Sequence, residues 1–255
     1  LGLLAEHLAA RLEAAGVEIR CGAHVEGLRP RPGGWSVSAI SGGATEHTRC
    51  QAIVLAVPAA PSARLLAPLA PAAAEVLGAL DYASVALVTL ALPREEMADL
   101  TGSGFLVPPG EEITIKASTF SAVKWSWVGA AAPDLAVVRA SFGRAGESEV
   151  LRGDDAALVR LARRDLGHVL GAALPAHIDA RVHRWESSLP QYAVGHLDRV
   201  AAVRDAIRGL PGLALAGAAY DGVGIPACIG SGRAAAQAVL DHLSATQTHR
   251  GESAV

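Results

Sequence analysis

The chain has 255 residues, 51% hydrophobic, 18% charged and 4% aromatic, with 27 glycines and 14 prolines. That composition excludes a disordered chain, which is poor in apolar residues and rich in charge. Three cysteines in this length exclude a disulfide scaffold, and a net charge of -3 leaves no global field to recruit nucleic acid or an anionic membrane.

The apolar runs at 52–63 and 212–219 are too short or too broken for a transmembrane segment of roughly 20 residues. Cys21, Cys50 and Cys228 form no CxxC pair, which favours a reducing, cytoplasmic location, at most peripheral to a membrane. The chain starts Leu1-Gly2-Leu3-Leu4, and its only methionine is Met97. The expectation is the later part of a longer protein.

Leu1, Leu4, Leu8, Leu12 and Ala15 recur at helical spacing, which predicts a helix with one buried face closed by Gly16. Val17 to Cys21 alternates apolar and charged residues, as a strand does. Gly33-Gly34 is a turn between two short strands, the second starting at Trp35. Residues 48–57 read as one nearly continuous apolar strand, of the kind buried on both faces of a parallel sheet. Pro58 and Pro61 end it and open a helix with Leu65 and Leu66.

In the middle of the chain, Val85 to Leu92, Ile113 to Thr119, Leu135 to Phe142 and His177 to Trp185 read as longer strands. One helix, about 154–171, interrupts them, with Leu158, Ala162, Leu166 and Val169 on one face and Asp154-Asp155 at its start. The end returns to α/β character: an amphipathic helix from His196 to Arg208, a short strand at Leu213 to Gly217, a Gly-rich turn and a helix over about 227–243. The polar residues 244–255 read as a frayed tail.

The most informative segment runs from Leu213 to Cys228 through Tyr220-Asp221-Gly222-Val223-Gly224-Ile225-Pro226. A buried strand ends in glycine, a loop turns, and a helix begins near Pro226. Helix N-termini present unpaired N–H groups and partial positive charge, and glycines let an anion or carbonyl approach them. Two readings stand side by side: such a cradle, or an ordinary strand–helix turn. Gly222, Gly224 and Ala227 formally fit G-x-G-x-x-A, but the acidic partner expected on the next strand is replaced by a helix carrying Asp241. No G-x-S-x-G, GxxxxGK[ST] or HExxH occurs, and the nine histidines show no metal-ligand spacing. The few aromatics cluster: Phe120, Trp125 and Trp127 around Lys116 and Lys124, then Trp185 and Tyr192. They suit either core packing or a pocket for a flat conjugated ring.

Four segments together resemble the protoporphyrinogen/coproporphyrinogen oxidase family, within the flavin-containing amine-oxidase superfamily. They are Gly104-Phe105-Leu106-Val107-Pro108; Ile115 to Phe120 with Lys124-Trp125; Arg184 to Tyr192 with Gly195-His196; and Tyr220 to Ile229. The third is the most specific. The resemblance implies an α/β (α+β) fold: a partial FAD-binding Rossmann-like domain with an inserted antiparallel-sheet substrate domain. It implies FAD-binding portions at 1–80 and 191–243 around a substrate domain at 81–190, with the tail at 244–255. The implied activity is FAD-dependent oxidation of coproporphyrinogen III or protoporphyrinogen IX in haem synthesis, with O2 as acceptor.

By motif position, the resemblance assigns cofactor contacts to Val25 (backbone, adenine), Trp185, and the N–H groups of Val223, Gly224 and Ile225. It assigns a substrate wall to Lys116, Phe120 and Trp125, no metal, and no side chain as general base. The N-terminal GxGxxG segment of the family is not found here, so a missing N-terminal half or a partner chain is expected. This chain alone is expected to bind FAD poorly. Two other readings remain open: a related flavin amine oxidase or desaturase, and a non-catalytic porphyrin-binding module.

Overall fold

The computed structural model describes residues 2–97 and 99–252, with side chains up to residue 247. It divides into two compact units: 1–79 with 195–255, and 80–194. The second is inserted in the sequence of the first.

The first unit begins with α1 (Gly2–Ala14). The N–H of Val17 donates to the Leu12 carbonyl and that of Gly16 to Glu13, with Gly16 at φ +85°; this pair of bonds closes the helix as a Schellman motif. The predicted buried face is not buried. Leu3, Leu4, Leu8 and Leu12 are all exposed, Leu8 to 56%, because no described element lies over the stripe. Leu1 lies outside the described residues. The predicted strand at Val17 to Cys21 is also absent: alternation supplies two faces, but no ladder partner is present among the described residues. The first strand is instead β1 (His24–Arg31), paired antiparallel with β2 (Gly34–Ser41), which pairs with β3 (Ala44–Cys50). Trp35 is buried on this meander, and its Nε1 donates to the Pro211 carbonyl at 3.0 Å.

The single strand predicted at 48–57 is two strands in two sheets. Residues up to Cys50 belong to β3, while β4 (Ile53–Leu55) pairs parallel with β10 (Leu213–Leu215). The expected burial on both faces fails too: Val54 and Val57 are about as exposed as Leu12. After Pro58 come α2 (Ala59–Leu66) and α3 (Pro71–Gly78), which pack with each other and, through α3, with α7 (His196–Ala206). Leu65, Leu66, Leu77, Val200 and Val203 fill that core. The last helix, α8 (Ile225–Glu252), runs well past residue 243, so residues 244–252 of the expected tail are helical. Residues 253–255 lie outside the described residues.

The second unit is a five-stranded antiparallel sheet in the order β6-β7-β8-β5-β9. Its strands are β5 (Tyr82–Pro93), β6 (Gly104–Leu106), β7 (Ala117–Phe120), β8 (Leu135–Phe142) and β9 (Asp179–Pro190). Two short helices, α4 (Ser121–Lys124) and α5 (Ser126–Ala131), link β7 to β8. The long helix α6 (Asp155–Leu170) starts where the Asp154 carboxylate accepts the Ala157 N–H at 2.7 Å. Its Leu158, Ala162 and Leu166 are fully buried against Ala86, Val88, Leu90 and Leu92 of β5 and Ala136, Val138, Ala140 and Phe142 of β8. Period-2 alternation therefore gives the sheet one core face and one face outside that core. Among the described residues no helix is long and apolar enough to cross a membrane.

Candidate functional site

In the first unit the loop after β10 is braced along its length. The Gly217 N–H donates to Ser231 Oγ at 3.1 Å, and the buried His196 ring donates through Nε2 to the Tyr220 carbonyl at 3.1 Å. Arg204 of α7 holds the Asp221 carboxylate at 2.6 Å, and Cys228 Sγ lies 3.7 Å from the Gly222 carbonyl. The backbone between those braces is left over. Among the described residues, the N–H groups of Gly222, Val223, Gly224 and Ile225 find no acceptor, and Val223, Gly224 and Ile225 are exposed. They sit at the start of a 28-residue helix, where the partial charge is positive. Gly222 is at φ +147°, and a Cβ there would stand 2.7 Å from the Ala227 Cβ, so this turn is built for glycine. Such a turn can receive a carbonyl oxygen or an anion. Val25 lies on β1 beside a bulge, half exposed, with its backbone paired to Ala39.

In the second unit the strands sort the remaining candidates onto two faces. Phe120 is 4% exposed and meets Phe105 edge-to-face at 6.0 Å. It belongs to the core beneath the sheet, so the expectation of a substrate wall at Phe120 is corrected: its strand parity turns it toward α6. Lys116 is also engaged. Its Nζ donates to the Gly143 carbonyl at 2.5 Å, and burial, reinforced by the nearby Arg144 guanidinium, pushes its ammonium below the ordinary lysine range. Trp125 is partly exposed, with the Lys124 ammonium 5.0 Å from its ring centroid, and Trp127 is 71% exposed.

Trp185 is on β9, 55% exposed, opposite Val85 where a bulge interrupts the β5 ladder. Its orientation follows from its neighbour. Arg184 pairs with Asp155 at the start of α6 and donates to the Gly153 carbonyl at 2.7 Å. With Arg184 on the helix side, Trp185 takes the other face. Val25, Val223, Gly224 and Ile225 thus lie in the first unit, and Trp185, Lys116 and Trp125 in the second. The sequence reading missed the buried Asp165. Its Oδ2 accepts the N–H groups of Thr114 and Ile115 at 2.7 and 3.0 Å, and Arg164 pairs with its Oδ1. A lone acidic residue on an apolar helix stripe is the signal that could have found it.

The family model for flavin-containing amine oxidoreductases matches residues 1–240. The chain belongs to this family. Coproporphyrinogen III oxidase of Mycobacterium tuberculosis H37Rv is 39% identical over 212 residues, covering 83% of this chain and 44% of that protein. Coproporphyrinogen III oxidase of Bacillus subtilis is 34% identical over 163 residues, 63% of this chain and 34% of that protein. Chloroplastic protoporphyrinogen oxidase of Nicotiana tabacum is 31% identical over 207 residues, 76% of this chain and 37% of that protein. The crystal structure named "Putative protoporphyrinogen oxidase", from Exiguobacterium sp. 255-15, superposes with a TM-score of 0.77 at 30% identity. It takes in 94% of this chain and 50% of that one. The chain therefore spans under half the length of these curated relatives. The family implies a flavin cofactor, and the unpaired amides at 222–225 fit a flavin's electron-rich carbonyl edge.

Proposed function

We propose that this chain serves in the FAD-dependent oxidation of a porphyrinogen, coproporphyrinogen III before protoporphyrinogen IX, with O2 as the final acceptor. The observation that carries the reading is the set of exposed N–H groups opening α8 that find no acceptor among the described residues. Bound there, FAD supplies the hydride acceptance that no side chain of this chain provides. Val223, Gly224 and Ile225 would hold its carbonyl edge with backbone N–H groups and favour negative charge on it, while the α8 dipole adds to that field. Val25 would offer backbone contacts to the adenine. His196, Arg204 and Ser231 keep the loop in shape, so its amides are fixed before any ligand arrives. The reaction removes six electrons and six protons from the macrocycle, and three O2 leave as three H2O2. FAD, O2 and haem synthesis enter through the resemblance to porphyrinogen oxidases. So does the expectation that a further polypeptide segment completes the nucleotide site.

The test is a flavin titration of the purified chain against its Gly222→Val variant, read as perturbed flavin absorbance, with peroxide measured on adding coproporphyrinogen. Weak binding that falls about tenfold further in the variant is expected, a difference of about 1.4 kcal/mol. Equal affinity in two folded proteins overturns the assignment of this loop.

A further inference from the structure

The face of the second unit's sheet that turns away from α6 has a composition of its own. Strand register places Thr119 (β7), Arg139 (β8), Thr89 (β5) and Arg181 (β9) side by side in one row across four strands. The next row runs Ala117, Ser141, Leu87 and His183, and Val85 and Trp185 lie beyond it. None of these residues belongs to the core cluster around α6. Arg139 stands at the centre: β8 is the middle strand of five, and its neighbours Val138 and Ala140 are fully buried on the other face. The Arg139 side chain is partly buried, yet among the described residues it makes no hydrogen bond and no ion pair. Every other arginine on this sheet is engaged: Arg184 with Asp155, and Arg181 with Asp179 at 3.2 Å. A partly buried guanidinium without an acceptor has lost hydration that no described residue restores.

We propose that Arg139 is the carboxylate anchor of this face, gripping one side-chain carboxylate of the substrate with Thr119 and Thr89 beside it. The inference rests on the porphyrinogen reading and deepens it. Coproporphyrinogen is an apolar tetrapyrrole macrocycle, puckered at its sp3 methylene bridges and rimmed by carboxylates. The face offers Leu87, Val85 and Trp185 for the ring and a fork of donors for a carboxylate, which arginine meets in bidentate fashion. Arg181 lies two strands away, roughly 10 Å at ordinary strand spacing. It is partly neutralised by Asp179, so its role at a second carboxylate is the lesser one. Arg139 therefore determines specificity by charge and hydrogen bonding and leaves the electron transfer alone.

The experiment uses the full chain and two stable probes: coproporphyrin III and its tetramethyl ester, with binding followed by porphyrin fluorescence. Arg139→Gln is expected to weaken coproporphyrin III binding about tenfold to a hundredfold, and Arg139→Lys to recover part of that loss. Affinity for the ester should stay unchanged in both variants. Equal loss for acid and ester means that Arg139 only shapes the face, and no loss for the acid means that the anchor lies elsewhere; either result overturns the proposal while the porphyrinogen reading stands. If the unsubstituted chain binds neither porphyrin, the reading itself fails and the proposal falls with it. Unaltered thermal unfolding of the Arg139→Lys variant separates a binding effect from misfolding.

Discussion

Two helices of this chain carry the same apolar spacing and meet opposite fates. In α6, Leu158, Ala162 and Leu166 are fully buried beneath the antiparallel sheet. In α1, Leu4, Leu8 and Leu12 follow the same four-residue steps and are exposed. The contrast extends to the sheets. The second unit's strands bury one face on α6, whereas the parallel pair β4–β10 leaves Val54 exposed although parallel strands are ordinarily covered on both faces. Periodicity states which face of an element is able to be buried; it does not supply the element that covers it.

Substitutions can sharpen that contrast. The largest effect is expected for Leu158→Ala, which leaves a cavity in a close-packed core and should cost about 2–5 kcal/mol in chemical denaturation. A loss under ~1 kcal/mol would mean that the α6 interface is looser than the burial of its leucines implies. Asp165→Ala comes next. It leaves the N–H groups of Thr114 and Ile115 without their acceptor, at a cost of about 1–3 kcal/mol. Because that segment leads into β7, hydrogen exchange at residues 114–120 should accelerate more than in β9; uniform acceleration would remove the local role given to Asp165. The smallest effect is expected for Leu8→Ala, the counterpart of Leu158→Ala on the exposed stripe. It should stay within about 0.5 kcal/mol, as surface substitutions do. A measured loss of ~2 kcal/mol there would show that something covers α1 in solution, and the contrast between the helices would vanish.

Much of the second unit was legible in the chain itself. The apolar stripe and Asp154 cap mark α6, and the alternation in Leu135 to Phe142 matches β8 residue for residue. The turn at 222–225 was legible as well, because three kinds of signal agree there: a short apolar run from Leu213 broken at Gly217, glycines, and Pro226 just inside a helix. Other features depended on residues distant in sequence. Nothing local separates 48–50 from 53–55, since the break comes from pairing with β2 on one side and with β10 on the other. Val17 to Cys21 alternates like a strand but has no ladder partner among the described residues. Phe120 and Trp185 look alike as aromatics near basic residues, yet register sends one into the core and the other out of it.

The sequence alone determined the periodicities, the caps and the glycine turn, because those depend on residues within a few positions of each other. It also carried the family resemblance, through short runs of specific residues. Only the tertiary structure decided which stripes are covered, which strands pair, and that an arginine with no partner among the described residues stands at the middle of the sheet's far face. Those outcomes depend on register between strands far apart in sequence, as where Leu213 pairs with Ile53, and a shift of one residue moves every side chain to the opposite face.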